Sequence, residues 1–424
     1  MKRSAEMWGV FLSSRNACKN QEESFTLLPI NCFNTLTSFY LFYTFVSMFK
    51  FKLPQKSDLV LVTLLLVLST VILYLPTGFS ENDYQNSERV KALVLETDNS
   101  LVVETGILKT GSQTVQIRIL NGKFKGKELT AFNQLIGRME FDKYFFPGDK
   151  TLTVLNFNQD KSEIISANVI DHYRINLEAF LLGLFVLFLI SFAGWTGVKA
   201  MLSFLFTGIT IWKLLLPGLL KGFSPIPLSL GIVTLLTSFI IFLVAGTNKK
   251  GLVAFFGAMS GIAITCIMAI LFGKLFNIHG AIKPFSETLL YSGYSYLNLT
   301  EIFLAGIFIS SSGAVMDISM DIAASQAEVY HQNNNMTTKQ LRQSGFEVGK
   351  AVVGTMTTTL LLAYSGGFSA LLMVFIAQGT PMVNILNLNY VSGEILHTLV
   401  GSFGLVLVAP FTAIIGAWVF TRKK

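Results

Sequence analysis

Eight stretches of about twenty residues, nearly free of charge, decide what this chain can fold into. They run roughly over 59–79, 175–193, 197–217, 226–246, 251–277, 301–325, 347–366 and 396–420. An apolar helix of that length spans a hydrocarbon core about 30 Å thick, and there the backbone must bond within its own segment. A polytopic α-helical membrane bundle of about eight crossings follows. Composition agrees, with 52% of the 424 residues hydrophobic and only 13% charged; soluble domains carry about 25% charge. Mean hydropathy is +0.57. The net charge of +7 does not require nucleic acid. Lys and Arg gather in the short connections between spans, as membrane orientation demands, so the partner they imply is the lipid bilayer.

Residues 1–47 fit this pattern poorly. A start at Met48 would give M-F-K-F-K-L-P-Q-K-S-D and then a clean apolar span, an ordinary basic flank with a signal anchor. Residues 1–47 are therefore expected to be a non-native upstream extension or disordered, with 48–79 the flank and anchor; the alternative is an extra span within 25–47. Cys18, Cys32 and Cys266 show no metal-ligand spacing, and neither a disulfide framework nor a zinc site is expected.

Charge returns over 80–172, where short β-type runs alternate with turn signals. V-K-A-L-V-L, Q-T-V-Q-I-R-I-L, L-T-A-F and K-T-L-T-V-L-N-F read as strands, and Asn121-Gly122 and Pro147-Gly148-Asp149 as turns. Five or six strands in about ninety residues suit a small all-β barrel of OB or SH3-like type. Lys123, Lys125 and Lys127 form a basic edge that resists pairing with other sheets, or a ligand contact.

Lys50, Lys52 and Lys56 place the N-terminal flank in the cytoplasm and the β-domain outside, in a bacterial plasma membrane. Lys199, Lys249, Lys250, Lys339, Arg342 and Lys350 then fall inside, and Lys221 and Lys283 outside. The C-terminal Arg422, Lys423 and Lys424 belong inside only if 368–395 does not cross. Leu371–Ala377 is about 10 Å long as a helix, too short to span, and Gly379, Pro381 and three Asn follow. We expect a re-entrant or interfacial segment that dips from outside. Gln378 would lie near its deepest polar point, with Gly379 and Pro381 at the reversal, as a gate.

Asp317 and Asp321 lie one helical turn apart on one face of an apolar span. A carboxylate in hydrocarbon is costly and marks an ion or substrate path or a bundle interior. Counted from Glu301, Asp317 lies about 24 Å in, past the midplane; Asp321 is deeper and could be interfacial. Thr355, Thr357, Thr358 and Thr359, coming from the other side, reach a similar depth. Thr355, Thr358 and Thr359 with the two aspartates are candidates for a proton or ion relay. The competing reading is that the hydroxyls bond their own helix. Glu394 and His397, at i and i+3, read as an interfacial polar pair rather than half of a metal site. Lys213 should snorkel. Gly401, Ser402, Gly404 and Pro410 mark a packing face with a kink. No Walker loop, nucleophile elbow, His-Glu-x-x-His or paired intramembrane Gly-x-Gly-Asp occurs. Nothing asks for a cofactor, a resident metal or an enzymatic role.

The segments S-S-S-G-A-V-M-D-I-S-M-D-I-A-A-S, G-K-A-V-V-G-T-M-T-T-T-L-L-L-A-Y-S-G-G and G-E-I-L-H-T-L-V-G-S-F-G-L-V-L-V-A-P-F-T-A resemble the YibE/F-like family of multi-pass bacterial membrane proteins. So does G-K-F-K-G-K-E-L-T-A-F-N in the β-domain. The resemblance runs from about Asp58 to Phe420 and implies architecture rather than activity, since the family has no established function. A more distant likeness is to SecD/SecF and resistance-nodulation-division transporters, in which an Asp helix and a Thr-rich helix occupy corresponding places. This chain departs from them in two extra spans before the Asp helix, an insertion at 368–395 and no Arg before the Thr cluster. The function these features imply is secondary transport or export, coupled to protons or small ions, by a homo-oligomer or with a second membrane subunit. The alternative is an assembly or scaffold protein whose β-domain binds a partner.

Overall fold

The computed structural model describes residues 56–79, 86–158, 160 and 163–422. The expectations for residues 1–47, Lys50, Lys52, Lys423 and Lys424 lie outside these. Helix α1 (Lys56–Tyr74) stops two residues before Pro76, where the residue before proline is pushed out of the α region.

Six strands follow: β1 (Ser87–Asp98), β2 (Val102–Thr105), β3 (Leu108–Ile119), β4 (Glu128–Ile136), β5 (Lys150–Phe157) and β6 (Ile164–His172). They pair in the order β1-β5-β6-β4-β3, and β3 returns to β1, so five strands close a barrel and β2 adds a hairpin to the start of β3. All neighbours are antiparallel except β4 and β6, which meet in parallel at Phe132 and Asn168. Alternation fills the interior, with Val90, Ala92, Val94, Val115, Ile117, Ile119 and Leu155 all buried. Lys123, Lys125 and Lys127 stand exposed on the β3–β4 turn rather than along a strand.

The helical domain begins with α2 (Ile175–Thr210), which continues through a π-helical turn, Ile211–Leu215, into α3 (Leu216–Leu220). Gly194 interrupts it at φ 56°, ψ −129°, a conformation essentially reserved for glycine. The chain doubles back there. A Cβ on Gly197 would stand 2.5 Å from the Leu189 carbonyl oxygen, and the Phe185 and Phe204 rings pack 6.5 Å apart. In a straight helix those rings would be about 28 Å apart. Then come α4 (Pro225–Ala245), α5 (Lys249–Leu275), the short α6 (Ser286–Tyr291), α7 (Leu299–Gln332), α8 (Thr338–Ala377), the short α9 (Met382–Asn387) and α10 (Asn389–Thr421). Among the described residues six helical units are long and apolar enough to cross a membrane, Ile175–Leu220 counted as one; Asp58–Tyr74 is a shorter apolar helix.

One expectation is corrected here. Leu371–Ala377 is not a separate dipping piece but the last turns of α8, a single helix of 40 residues. Gly366 and Gly367 do not break it. It ends where Gly379 takes φ 64°, with Gly379 N–H on Ile376 O and Thr380 N–H on Phe375 O, both at 3.0 Å. That is a Schellman cap, the ordinary end of a helix. Pro381 then precedes α9, and α10 starts beside it.

Helix α7 is the centre, packed against α4, α5, α8 and α10. Small residues let the helices close in: a Cβ on Gly261 of α5 would lie 2.8 Å from Val315 of α7 and 2.9 Å from Val408 of α10. The bundle has two distinct ends. Thr338 bonds Thr421 at 2.8 Å and Lys249 reaches the Val419 carbonyl at 3.4 Å, which gathers the termini of α5, α8 and α10 at one end. The barrel sits at the other, where Phe141 touches Phe285 and Phe79 touches Tyr294.

Candidate functional site

Two neighbouring features make the site: a stripe on α7, and a chain of polar side chains above it. Val315, Ile318, Ser319, Ile322 and Gln326 of α7 are buried, whereas Ser310, Gly313, Asp317, Asp321, Ala324 and Glu328 are exposed. With 100° per residue these six share one face. Val315 packs into α5 and α10, so the aspartates, on the opposite side of α7, are left uncovered. Among the described residues no hydrogen bond or ion pair joins Asp317 or Asp321 to another side chain.

Helices α7 and α8 run antiparallel in a readable register. Gln326 Nε2 donates to the Leu341 carbonyl at 3.0 Å, Gly349 faces Ile322, and the Tyr364 hydroxyl donates to Ser310 Oγ at 3.2 Å. Interpolated along the two helices, Thr355 is level with Asp317. The hydroxyls themselves are turned to their own helix: Thr355 to Val352 O at 2.9 Å, Thr357 to Val353 O at 2.9 Å and Thr359 to Thr355 O at 3.1 Å. Thr358 is two residues from buried Leu360 and points away from the packed face. The Thr cluster thus shares the level of Asp317 without reaching it. Gln378, Gly379 and Pro381 form the helix end described above, and Gln378 is exposed there. These residues cap α8 and open α9.

Above Asp317 the stripe runs into the polar chain, two helical turns nearer the barrel. Ser310 Oγ lies 2.7 Å from His397 Nε2, and the Tyr364 and His397 rings pack 4.5 Å apart. Glu394 Oε2 lies 3.7 Å from His397 Nδ1 and 3.0 Å from Lys283 Nζ. His397 Nδ1 is buried and makes no hydrogen bond at that separation. Lys283 stands over the rings of Phe303 and Phe368. The chain Lys283–Glu394–His397–Ser310–Tyr364 therefore leads from the connection beneath the barrel into the bundle, and it points along the α7 face that carries Asp317. An imidazole between a carboxylate and a hydroxyl can take a proton on one nitrogen and release it from the other.

Sequence reasoning found Asp317, Asp321, Glu394 and His397 but left the last two as an isolated interfacial pair. Ser310, Tyr364 and Lys283 were missed. Depth counting held the one usable signal, because Ser310 and His397 lie at similar depths, two to three turns inside the barrel end of their helices. Among the described residues no three His, Cys, Asp or Glu converge as a metal site.

Another buried polar group fixes the opposite half of the bundle. Gln326 is fully buried and its Nε2 bridges the Leu341 and Ala413 carbonyls, both at 3.0 Å. It occupies space that Gly345 and Gly416 leave open.

No curated protein and no solved structure matches this chain, and the likeness to SecD/SecF and resistance-nodulation-division transporters is not shown. Two family descriptions do match: the YibE/F family N-terminal domain over residues 80–172, the barrel, and the YibE/F-like protein over residues 181–422, the helical domain. With over half of its length inside the second match, and the barrel inside the first, the chain belongs to the YibE/F-like protein family.

Proposed function

We propose that this membrane protein is a secondary transporter or export factor driven by protons or a small cation, not an enzyme. Asp317 is the titrating group, and the Lys283–Glu394–His397–Ser310–Tyr364 chain is its path toward the barrel end. The reading counts eight passes, taking Asp58–Tyr74 as one and each arm of the Gly194 hairpin as another. It takes the five-stranded barrel with its added hairpin as an OB-type extracytoplasmic domain. The basic residues Lys249, Lys250, Lys339 and Arg342 then lie at the cytoplasmic end of a bacterial plasma membrane.

The observation that carries the proposal is the uncovered pair Asp317 and Asp321 on a membrane-length helix, with no basic partner among the described residues. Hydrocarbon contact would be prohibitive for either, so the stripe faces a water-filled groove, a second copy or a second membrane subunit. A charge kept unpaired at such cost points to a change of protonation or to ion binding. The polar chain ends two helical turns away, about 10 Å along the helix, a gap that a short file of water closes.

The test is proton movement in proteoliposomes loaded with a pH-sensitive dye, under an imposed pH difference. Asp317→Asn should abolish flux while leaving folding and reconstitution intact. His397→Gln should slow it, and Thr358→Val should leave it unchanged. Full flux in Asp317→Asn would end the proposal, as would full complementation of a deletion phenotype by that variant.

A further inference from the structure

We infer that the β2–β3 hairpin of the barrel seats its apolar tip in the headgroup–acyl boundary of the bilayer, so that lipid is the partner of this surface. The inference rests on the membrane architecture and is independent of any transport role.

Strand pairing gives the barrel a membrane end. Chain leaves the barrel at His172 and enters the apolar helix α2 at Ile175. Because β4 and β6 run in parallel with Phe132 beside Asn168, Ile136 is level with His172. Ile136 pairs with Thr110 of β3, so the turn at Gly106 projects four residues past that level, about 13 Å at 3.3 Å per residue. The three residues from His172 to Ile175 cover about 10 Å when extended. The hairpin tip therefore reaches the level at which α2 begins to expose Ile175 and Leu177. The loop after β4 turns the same way and already rests on the helical domain through Phe141 and Phe285.

Surface chemistry is divided accordingly. At the membrane end Ile107 is 80% exposed, Met139 69%, Val103 60% and Phe146 60%. The β3–β4 turn at the opposite end exposes Lys123, Lys125 and Lys127, and its one large apolar side chain, Phe124, stacks on Phe157 at 5.5 Å. The far end has one exposed large apolar side chain, Ile165 at 70%, whereas the end nearest the bilayer gathers several around Ile107, the most exposed in the barrel. The polar neighbours fit an interfacial depth: Lys109 lies 4.0 Å over the Tyr144 ring and pairs with Glu104 at 2.7 Å, while Arg138 covers Phe141. Aromatic rings with snorkelling cations are the side chains that membrane boundaries favour. Basic and acidic groups alternate at this end, so the attraction is apolar and does not depend on anionic lipid.

The experiment uses the full chain, with its three cysteines replaced by serine, in phosphatidylethanolamine–phosphatidylglycerol vesicles. A nitroxide is placed at Ile107→Cys and, as the reference, at Lys123→Cys. Both positions are exposed and lie outside the buried core of the barrel, so neither label threatens the fold. Collision rates with oxygen, which concentrates in lipid, and with a water-soluble nickel chelate are then compared. The expected result is a several-fold higher oxygen-to-nickel ratio at Ile107 than at Lys123. Equal nickel access at the two sites would overturn the inference. So would protection of Ile107 from both reagents, which would mean that protein covers the hairpin.

Discussion

Placing a methyl group on Gly416 should strike the Gln326 side chain. A Cβ there would overlap Gln326 Oε1 and stand 3.1 Å from both Gln326 Cδ and Val253 Cγ1. Gln326 cannot step aside, because its amide nitrogen is held by carbonyls of two other helices and the residue is fully buried. Overpacking of this kind costs about 1–3 kcal/mol. Gly→Ala inside a helix returns up to about 1 kcal/mol through propensity. Gly416→Ala should therefore lose about 1–2 kcal/mol. In a Gln326→Ala background the main obstruction is gone, and the same step should become neutral or slightly stabilising. The cycle predicts a coupling of about 2 kcal/mol, within the range for touching residues. Reversible unfolding in bicelles, followed for the four members of the cycle, measures it. An equal loss from Gly416→Ala in both backgrounds would refute the packing argument.

Two predictions concern the barrel. Burial pushes the Asp171 carboxyl up, but the His172 N–H at 2.7 Å, Arg174 at 2.8 Å and Lys143 outweigh it and hold the group below the usual carboxylate range. A depressed carboxyl stabilises the fold above its unfolded pKa, near 4, and the benefit is lost as pH falls through the folded value. Thermal unfolding of the full chain should thus be steady from pH 7 to 5 and decline below 4, and Asp171→Asn should cost about 1 kcal/mol at pH 7 and flatten that decline. Gln113 is fully buried, donates to Asn99 Oδ1 and Phe145 O, and accepts from Phe145 N–H and Asn133 Nδ2, all at 2.9–3.1 Å. Gln113→Leu should cost about 3 kcal/mol by stranding those partners, read as a lowered barrel melting temperature; a loss under 1 kcal/mol would show that water replaces the amide.

Spans and strands were legible because each is set by a local pattern. The run V-K-A-L-V-L falls in β1, Q-T-V-Q-I-R-I-L ends one residue past β3, and the apolar stretches from 175 onward are helical to within two residues. Boundaries were harder where polar residues extend a helix beyond hydrocarbon. Helix α7 runs on to Gln332, and α8 starts at Thr338 with a capping box between Thr337 and Gln340. Leu371–Ala377 reads as too short to span by itself, whereas it is the end of α8, which continues through Gly366 and Gly367. Glycine lowers helix stability by only about 1 kcal/mol, and the packed helix on either side outweighs it.

Site residues divide along the same line. Asp317 and Asp321 stand out because a carboxylate in an apolar run is costly in any fold. The residues around His397 do not, since each is unremarkable alone: a serine on α7, a tyrosine within α8, a lysine in a connection. Their meaning comes from contacts between positions separated by up to 111 residues, which no local pattern encodes. The Thr cluster shows the reverse case. Four threonines in five residues attract notice, yet three of the hydroxyls bond their own helix, the usual fate of Thr in a membrane helix. Within this bundle, then, a polar residue is informative when its partner lies on another helix or when it has none. By that criterion His397 and Asp317 outrank the threonines, and Tyr364 is the α8 residue to substitute first.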